Sequence, residues 1–323
     1  MPQRHESPST RVSSPIWTYA LLLSAASFWG TAFVFSKISE DSVPPVVAAF
    51  IRFGLAAIIG SVILIIQKLR NREYRATPEK GWVSTMGLGL VGVTGYNLLF
   101  FWGLSFSQAS DGSMIIPTLS PAITILFAVL FFKERLRKRE IQGLLLTVFG
   151  AIIFFFAILT LWTPSIPNRL LGDGLFFGAA VLWAASTLIS KRTTRKVDPF
   201  VAAVYAMIFG SLVLGLIALP ELLRTQWAVL SWQFWTNEGY LAVMPSVLAN
   251  WFYYWGVNRI GPARASVFMY FVPVMSLLLA TTILKETLSV AQILGTIFMI
   301  SGVWMINRPR QQTRRAPKNL TQA

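Results

Sequence analysis

Two asparagines and one arginine are the residues whose types and positions point most directly to ligand chemistry. Arg52 lies in the stretch 43–66, which is otherwise uncharged. Its guanidinium suits a carboxylate or phosphate partner; alternatively, it is a structural cation held by backbone carbonyls and helix C-termini. Asn97 and Asn250 each offer an amide donor and a carbonyl acceptor to a polar ligand. Alternatively, both asparagines join neighbouring helices through hydrogen bonds.

Aromatic side chains lie close to both asparagines in the sequence. Trp29 and Trp183 fall in the middle of apolar stretches, where they suit either a cavity wall or ordinary packing. Helical spacing predicts two polar-aromatic faces, formed by Thr94, Asn97 and Phe101 in one stretch and by Ser246, Asn250, Tyr253 and Tyr254 in the other. The candidate ligand-binding residues are therefore Trp29, Arg52, Tyr96, Asn97, Phe101, Trp183, Asn250, Tyr253 and Tyr254.

Two prolines fall in the middle of apolar stretches, at Pro121 and Pro273. Proline has no N–H group, so each leaves the carbonyl four residues earlier without its helical partner. A free carbonyl at membrane depth must face protein or water. We therefore expect Pro121 and Pro273 to mark ligand contacts or bending points for gating, or static kinks.

Other groups are missing, and their absence excludes several kinds of chemistry. No Asp or Glu lies in the middle of an apolar stretch, so we expect no buried carboxylate relay. Asp111 and Asp173, at the ends of two stretches, are predicted to cap helix N-termini. The one histidine, His5, lies in the N-terminal tail, so no metal site is predicted. No phosphate-binding loop is present, and we expect neither ATP hydrolysis nor any cofactor.

These candidates are distributed over ten long apolar stretches. Hydrophobic residues make up 54% of the 323 residues and charged residues 13%, whereas soluble domains average about 25% charged. About 20 apolar residues in a helix cross the hydrocarbon core of a membrane. The sequence therefore predicts an all-α integral membrane protein with ten spans, at roughly 17–37, 43–66, 82–105, 112–132, 141–162, 172–190, 199–219, 239–258, 264–284 and 290–306.

The net charge of +15 is distributed very unevenly between the connections of these spans. If both termini are cytoplasmic, only Lys37, Arg169, Arg224 and Lys285 of the 28 Lys and Arg residues lie on the outer side, and Arg52 lies within a span. This asymmetry is typical of positive-inside topology. We therefore read the basic charge as contact with anionic membrane lipids and not with nucleic acid, in the inner (plasma) membrane of the cell.

The two halves of the chain repeat each other at an offset of about 153 residues. Matching pairs follow in order along both halves and include Trp29 with Trp183, Asn97 with Asn250, Trp102-Gly103 with Trp255-Gly256, Pro121 with Pro273, Gly143 with Gly295 and Gly150 with Gly302. Each half holds five spans, and an odd number inverts the second half. Inverted repeats are typical of secondary transporters, whose substrate site lies near the membrane midplane between the halves.

At these residues the chain resembles the drug/metabolite transporter superfamily, specifically the ten-helix EamA-like permeases. The resemblance rests on Phe28-Trp29-Gly30, on Ala49-Phe50-Ile51-Arg52-Phe53, and on the paired blocks Ser120-Pro121…Lys133-Glu134-Arg135-Leu136 and Val272-Pro273…Lys285-Glu286-Thr287-Leu288. It implies a five-helix repeat in 17–162 and a second in 163–306. A cytoplasmic tail, 1–16, precedes them and a basic cytoplasmic tail, 307–323, follows.

The repeat and the resemblance together predict a function in transport. We expect a secondary transporter that moves a small polar or zwitterionic metabolite, such as an amino acid, by alternating access, as an exporter and not as an enzyme. The alternatives are an intramembrane enzyme or a flippase component that acts on lipid-linked substrates. The enzyme would require clustered acids, histidines or a Ser/Lys pair within the spans.

Overall fold

The computed structural model describes residues 15–132, 138–160, 166–261 and 265–307, which form ten helical spans. In chain order these are α1 (Pro15–Glu40), α2 (Pro45–Arg70), α3 (Trp82–Phe106), α4 (Ala109–Phe132), α5 (Lys138–Thr160), α6 (Ile166–Thr193), α7 (Pro199–Leu222), α8 (232–260), α9 (267–284) and α10 (Val290–Asn307). The predicted all-helical, ten-span fold is confirmed. The motif at 133–136 lies outside the described residues, as do the predicted tails except at 15, 16 and 307.

The helices have the length and composition of membrane spans. Five of them (α1, α2, α3, α6 and α7) satisfy both criteria over their most apolar part, where the mean hydropathy is 1.4 to 2.4. Shorter apolar segments lie in α5, α9 and α10. Large apolar side chains such as Ile58, Leu145 and Leu216 are exposed on the outside of the bundle. An outer surface of this kind requires lipid around it, as expected for a multi-pass membrane protein.

Three helices change their hydrogen-bond pattern part-way along. α3 contains a π-helical segment at Gly89–Gly95, and α8 contains one at Ala242–Leu248. α9 begins with a 3₁₀ segment at Val267–Tyr270 and ends with a π-helical segment at Ala280–Leu284. In a π turn the bond runs from residue i to i+5, and such turns are frequent at functional sites. The segments in α3 and α8 occupy equivalent positions of the repeat, each ending two residues before one of the paired asparagines.

The contacts between helices follow the symmetry of the repeat. α1 packs on α8 and α9, and its counterpart α6 packs on α3 and α4. α3 packs on α7, and α8 packs on α2. α2 also packs on α7, and α5 packs on α10. Exchanging the two halves converts each contact into another member of the same set, so the halves are related by a pseudo-two-fold axis.

Repeated glycines show the direction of that axis where α5 meets α10. A Cβ atom on Gly150 would lie 2.6 Å from the carbonyl oxygen of Gly295, and one on Gly302 would lie 2.4 Å from the carbonyl oxygen of Gly143. Because Gly143 and Gly150 are the counterparts of Gly295 and Gly302, a two-fold rotation exchanges these contacts. Residue numbers rise along α5 as they fall along α10, so the two helices are antiparallel. The two-fold axis that relates them therefore runs perpendicular to the helices. The predicted inverted repeat is confirmed.

Asp111 and Asp173 do not cap helices, and that prediction was wrong. At the start of α4, the backbone N–H groups of Ala109 and Ser110 donate to the two carboxylate oxygens of Glu286, both at 3.0 Å. Asp173 lies two turns inside α6 and is fully buried. The helices begin before the aspartates, and the cap of α4 comes from a residue in the opposite half.

At the other end of the bundle, Tyr74 and Asp198 connect the turn after α2 to the start of α7. Asp198 caps α7 by accepting the N–H groups of Phe200 and Val201, at 2.9 and 3.3 Å. Burial, together with the charge of Asp198 and a hydrogen bond to it, raises the pKa of Tyr74 to about 12. The phenol therefore stays neutral at this end of the α2–α7 pair.

Candidate functional site

A cavity lies between the two halves, against the middle portions of their helices. The volume of the cavity is about 40 Å³. One water requires roughly 10–15 Å³ of such volume, so the cavity admits a few waters. Its walls are formed by Trp29, Ala32, Phe33, Arg52, Phe53, Gly92, Val93, Tyr96, Asn97, Phe100, Ile116, Pro117, Trp183, Asn250, Met269 and Val272.

The two symmetry-paired tryptophans meet in the cavity wall. Their ring centroids are 5.0 Å apart with the planes at 85°, an edge-to-face arrangement. Tyr96 packs on Trp183 at 5.1 Å, and Tyr253 packs on Trp29 at 5.1 Å. The indole of Trp29 donates to the carbonyl oxygen of Pro245 at 3.0 Å, within the π-helical segment of α8. The wall is therefore a connected aromatic cluster contributed by both halves.

Asn97 and Asn250 have the same arrangement in the two halves. Asn97 Nδ2 donates to the carbonyl of Val93 at 2.8 Å, and Asn250 Nδ2 donates to the carbonyl of Ser246 at 2.8 Å. Each bond runs four residues back into the π-helical segment of the same helix. Because a carbonyl only accepts, the amide nitrogen must face it and Oδ1 must face the other way. Neither Oδ1 has a hydrogen bond within the described residues, so two acceptors are free at the cavity.

Arg52 is buried at the cavity, where it bridges three helices. Its Nε donates to Ser246 Oγ on α8 at 2.8 Å, and Nη1 donates to Ser36 Oγ on α1 at 3.2 Å. The guanidinium carbon lies 5.1 Å from the centre of the Phe53 ring. In the part of the chain that the structure describes, Nη2 and the Tyr96 hydroxyl form no hydrogen bond. Both groups therefore remain available to a ligand.

The structure corrects the expectation that no carboxylate lies within a span. Glu238 is predicted just outside its span but is fully buried inside α8, and it interacts electrostatically with Arg52. One of its oxygens accepts from the Ser39 hydroxyl, and the other has no partner among the described residues. α8 begins at residue 232, seven residues before the predicted span, so Glu238 is two turns inside it. Within the described residues, Arg52 and Glu238 form no direct ion pair.

The cavity brings together six of the nine predicted ligand-binding residues. These are Trp29, Arg52, Tyr96, Asn97, Trp183 and Asn250. Phe101, Tyr253 and Tyr254 are buried behind the wall and do not line the cavity. Phe100 lines it in place of Phe101, and Thr94 points away from it, donating to the carbonyl of Gly210 on α7 at 3.0 Å. Thr94 belongs to the π-helical segment of α3, whereas Asn97 and Phe101 both lie in the regular α-helix after it, so the π turn accounts for the displacement of Thr94 only.

The two prolines predicted to gate or kink their helices lie outside the cavity wall, and the wall instead includes the two residues whose carbonyls they release. Pro121 is buried within α4, and Pro117, one turn earlier, lines the cavity. Pro273 follows the 3₁₀ segment of α9, and Met269, within that segment, lines the cavity. Phe33 and Val272 also line it, with no sequence signal beyond an apolar side chain. Gating at Pro121 and Pro273 stays a prediction.

Known proteins match both halves of this architecture. The family model described as "EamA-like transporter family" matches residues 16–156 and again 170–308. The chain belongs to the EamA-like transporter family. Its relatives include an uncharacterized transporter of Bacillus subtilis, YyaM, which is 27% identical over 88% of this chain and 92% of its own length. Another, an uncharacterized transporter of Archaeoglobus fulgidus, is 26% identical over 90% of this chain and 99% of its own.

A solved crystal structure shares the fold. It superposes with a TM-score of 0.63 over 94% of this chain and all of its own, at 21% sequence identity. Membership of the EamA-like family and the names of the relatives point to a transporter. Among the described residues, no three His, Cys, Asp or Glu side chains come together as metal ligands.

Proposed function

We propose that this EamA-like protein is a secondary transporter for a small zwitterionic metabolite, an amino acid being the simplest example, and that it works by alternating access. The observation that carries the proposal is the distribution of free polar groups in the cavity. Arg52 Nη2 and the Tyr96 hydroxyl are free donors, whereas the Oδ1 atoms of Asn97 and Asn250 are free acceptors.

These groups complement the two ends of a zwitterion. A carboxylate accepts from a guanidinium and a phenol, while an ammonium group donates to amide oxygens. The acceptors come from equivalent positions of α3 and α8, so both halves hold the same ligand. The faces of Trp29 and Trp183 suit an apolar or aromatic side chain between them. The cavity is too narrow for such a ligand as it stands, so binding requires the aromatic wall to move.

The proposal includes orientation and direction. With both termini in the cytoplasm, the basic turns after α2 and α6 face inward, as the positive-inside tendency favours. We propose location in the inner membrane, export as the working direction, and one five-helix unit in each of 17–162 and 163–306. Reporter fusions at the termini and within 67–80 and 191–198 should read cytoplasmic, and a fusion within 222–237 should read periplasmic. A periplasmic C-terminus would refute this orientation.

Counterflow in proteoliposomes tests the substrate assignment. Vesicles preloaded with one unlabelled amino acid of a panel should accumulate the labelled form from outside. Asn97→Leu and Asn250→Leu should each weaken apparent affinity by roughly 2- to 150-fold, the range for a lost neutral or charge-assisted hydrogen bond. Thr94→Val is the matched control, because Thr94 lies on α3 but donates to α7 outside the cavity wall. Unchanged counterflow in both asparagine variants would refute the site.

A further inference from the structure

A second buried polar cluster lies at the end of the bundle where α3 meets α4, away from the cavity. We call it the end cluster; it consists of Ser107, Asp111, Arg169, Asp173 and Gln292. Asp111 and Asp173 are fully buried, and Gln292 is 2% exposed. Ser107 and Asp111 belong to the first half, and the other three residues belong to the second. The cluster therefore joins the two halves at this end.

Asp111 has the partners of an ionised carboxylate. Arg169 Nε donates to Oδ2 at 2.7 Å and Arg169 Nη2 to Oδ1 at 2.9 Å, a two-point ion pair. Gln292 Nε2 donates to Oδ1 at 3.1 Å. Every contact to this carboxylate comes from a donor, which is the pattern of a carboxylate that accepts only.

Asp173 lacks such partners. Its Oδ1 lies 2.6 Å from Ser107 Oγ, and its Oδ2 is buried with no partner in the described residues. Ser107 Oγ also lies 3.0 Å from Asp111 Oδ2. A hydroxyl has one proton, so it cannot donate to two ionised carboxylates at once. Because both oxygens of Asp111 already accept from Arg169, the proton belongs on Asp173: the Asp173 carboxylic acid donates to Ser107, and Ser107 donates to Asp111.

The charges around Asp173 favour the same arrangement. Asp111 on α4 and Glu286 before α10 are acidic, and both interact electrostatically with Arg169 on α6. Arg169 is engaged by Asp111. Lys37 on α1 donates to the carbonyl of Ser107 at 3.1 Å and lies 3.8 Å from Glu40. Arg169 also interacts electrostatically with Asp173, but its hydrogen bonds go to Asp111 and Gln108. A buried carboxylate without a direct ion pair takes up a proton.

We propose that Asp173 is a proton-binding site and that its bound proton keeps this end of the bundle closed. When α6 separates from the α3–α4 turn, water reaches Asp173, the carboxyl O–H bond breaks, and the proton passes to water. The closed form therefore binds the proton more tightly than the open form. Low pH favours the closed form, and raising the pH favours opening. The assignment does not depend on which substrate the cavity binds.

Cysteine labelling tests the proposal, since the chain contains no cysteine of its own. Ser113→Cys places a thiol at a fully buried position of α4, one turn beyond Ala109, and Ser105→Cys places one at an exposed position of the same end. A membrane-impermeant maleimide labels each variant in nanodiscs between about pH 5 and 9. The ratio of the two labelling rates removes the intrinsic pH dependence of thiol reactivity.

We expect the labelling rate at the buried position, divided by the rate at the exposed position, to rise with pH. The rise should be at most about tenfold per pH unit, which is the limit for one linked proton. Asp173→Asn, a neutral side chain that can still donate to Ser107, should keep the ratio low at every pH. Asp41→Asn, at an exposed aspartate after α1, should leave the rise unchanged. A flat ratio in the parent protein, or an unchanged rise in Asp173→Asn, overturns the proposal.

Ser107→Ala provides a second test that keeps Asp173 in place. This variant removes the shared hydroxyl but retains both carboxyl groups and Arg169. The ratio should still rise with pH, because the titrating group remains, and its midpoint should shift. If Asp173→Asn does not fold, a rise with an unshifted midpoint in Ser107→Ala overturns the proposal.

Discussion

The repeat makes two helix contacts equivalent, α3 with α7 and α8 with α2, yet the two are built from different chemistry. The π-helical segment of α3 meets α7 through small residues: a Cβ atom on Gly210 would lie 2.9 Å from the Gly89 carbonyl oxygen. The π-helical segment of α8 meets α2 through the buried hydrogen bond from Arg52 to Ser246. The backbone is symmetric and the charge is not. One wall of the cavity is therefore cationic, although both walls have the same helical geometry.

The largest expected effect follows from removing the charged contact. Arg52→Leu leaves Ser246 and Ser36 without their donor and removes the positive charge that interacts electrostatically with Glu238. A hydrogen bond that involves a charged group is worth about 1.5–3 kcal/mol, and Arg52 makes two, so the variant should unfold well below the parent temperature in detergent. Arg52→Lys keeps the positive charge and should therefore lose less stability than Arg52→Leu. Recovery of part of the loss by adding Glu238→Gln would show that the Glu238 carboxylate contributes to the loss; equal unfolding temperatures of Arg52→Leu and the parent would contradict the prediction.

Removing the acceptor of the same contact should have a smaller effect. Ser246→Ala takes away the acceptor of Arg52 Nε, a hydrogen bond to a charged group worth about 1.5–3 kcal/mol. Ser27→Ala is the control, because its hydroxyl bonds only the carbonyl of Leu23 on its own helix. Thermal unfolding of both variants compares them directly. If both variants unfold at the same temperature, Arg52 does not depend on Ser246.

The glycine contact should respond to added volume. In Gly210→Ala the new Cβ atom would lie 2.4 Å from the Val93 Cβ, so α3 and α7 must move apart. Overpacking of this kind costs about 1–3 kcal/mol. Gly87→Ala is the control on α3, since a Cβ atom there meets nothing within 4 Å. Disulfide crosslinking between cysteines introduced on α3 and α7 should slow in Gly210→Ala only.

The smallest expected effect is at the neutral hydrogen bond of the α3–α7 contact. Thr94→Val removes the bond to the Gly210 carbonyl while keeping the shape of the side chain. Interhelical hydrogen bonds in membranes average about 0.6 kcal/mol and reach roughly 1.7. The loss of stability in Thr94→Val should therefore be well below the loss in Ser246→Ala when both variants are measured by thermal unfolding. A loss as large as that of Ser246→Ala would mean that the contrast between the two contacts is wrong.

The errors of the sequence reading concern where helices begin and where their hydrogen-bond pattern changes. Thr94 was placed on the face of Asn97 by regular α-helical spacing, but it lies within the π-helical segment and donates to α7 instead. Asp173 was read as a cap because its apolar stretch begins there, whereas α6 begins at residue 166. Apolar stretches mark where a helix crosses the hydrocarbon and not where its backbone becomes helical.

The sequence by itself determined the ten spans, the inverted repeat and the pairing of Trp29 with Trp183 and of Asn97 with Asn250. Span length, hydropathy and repetition are local or internal properties that need no contacts to be read. Only the tertiary structure decided which groups meet: Arg52 with a serine 194 residues away, and Asp111 with an arginine 58 residues away. Such pairs depend on how distant helices pack, which no local property of the sequence encodes.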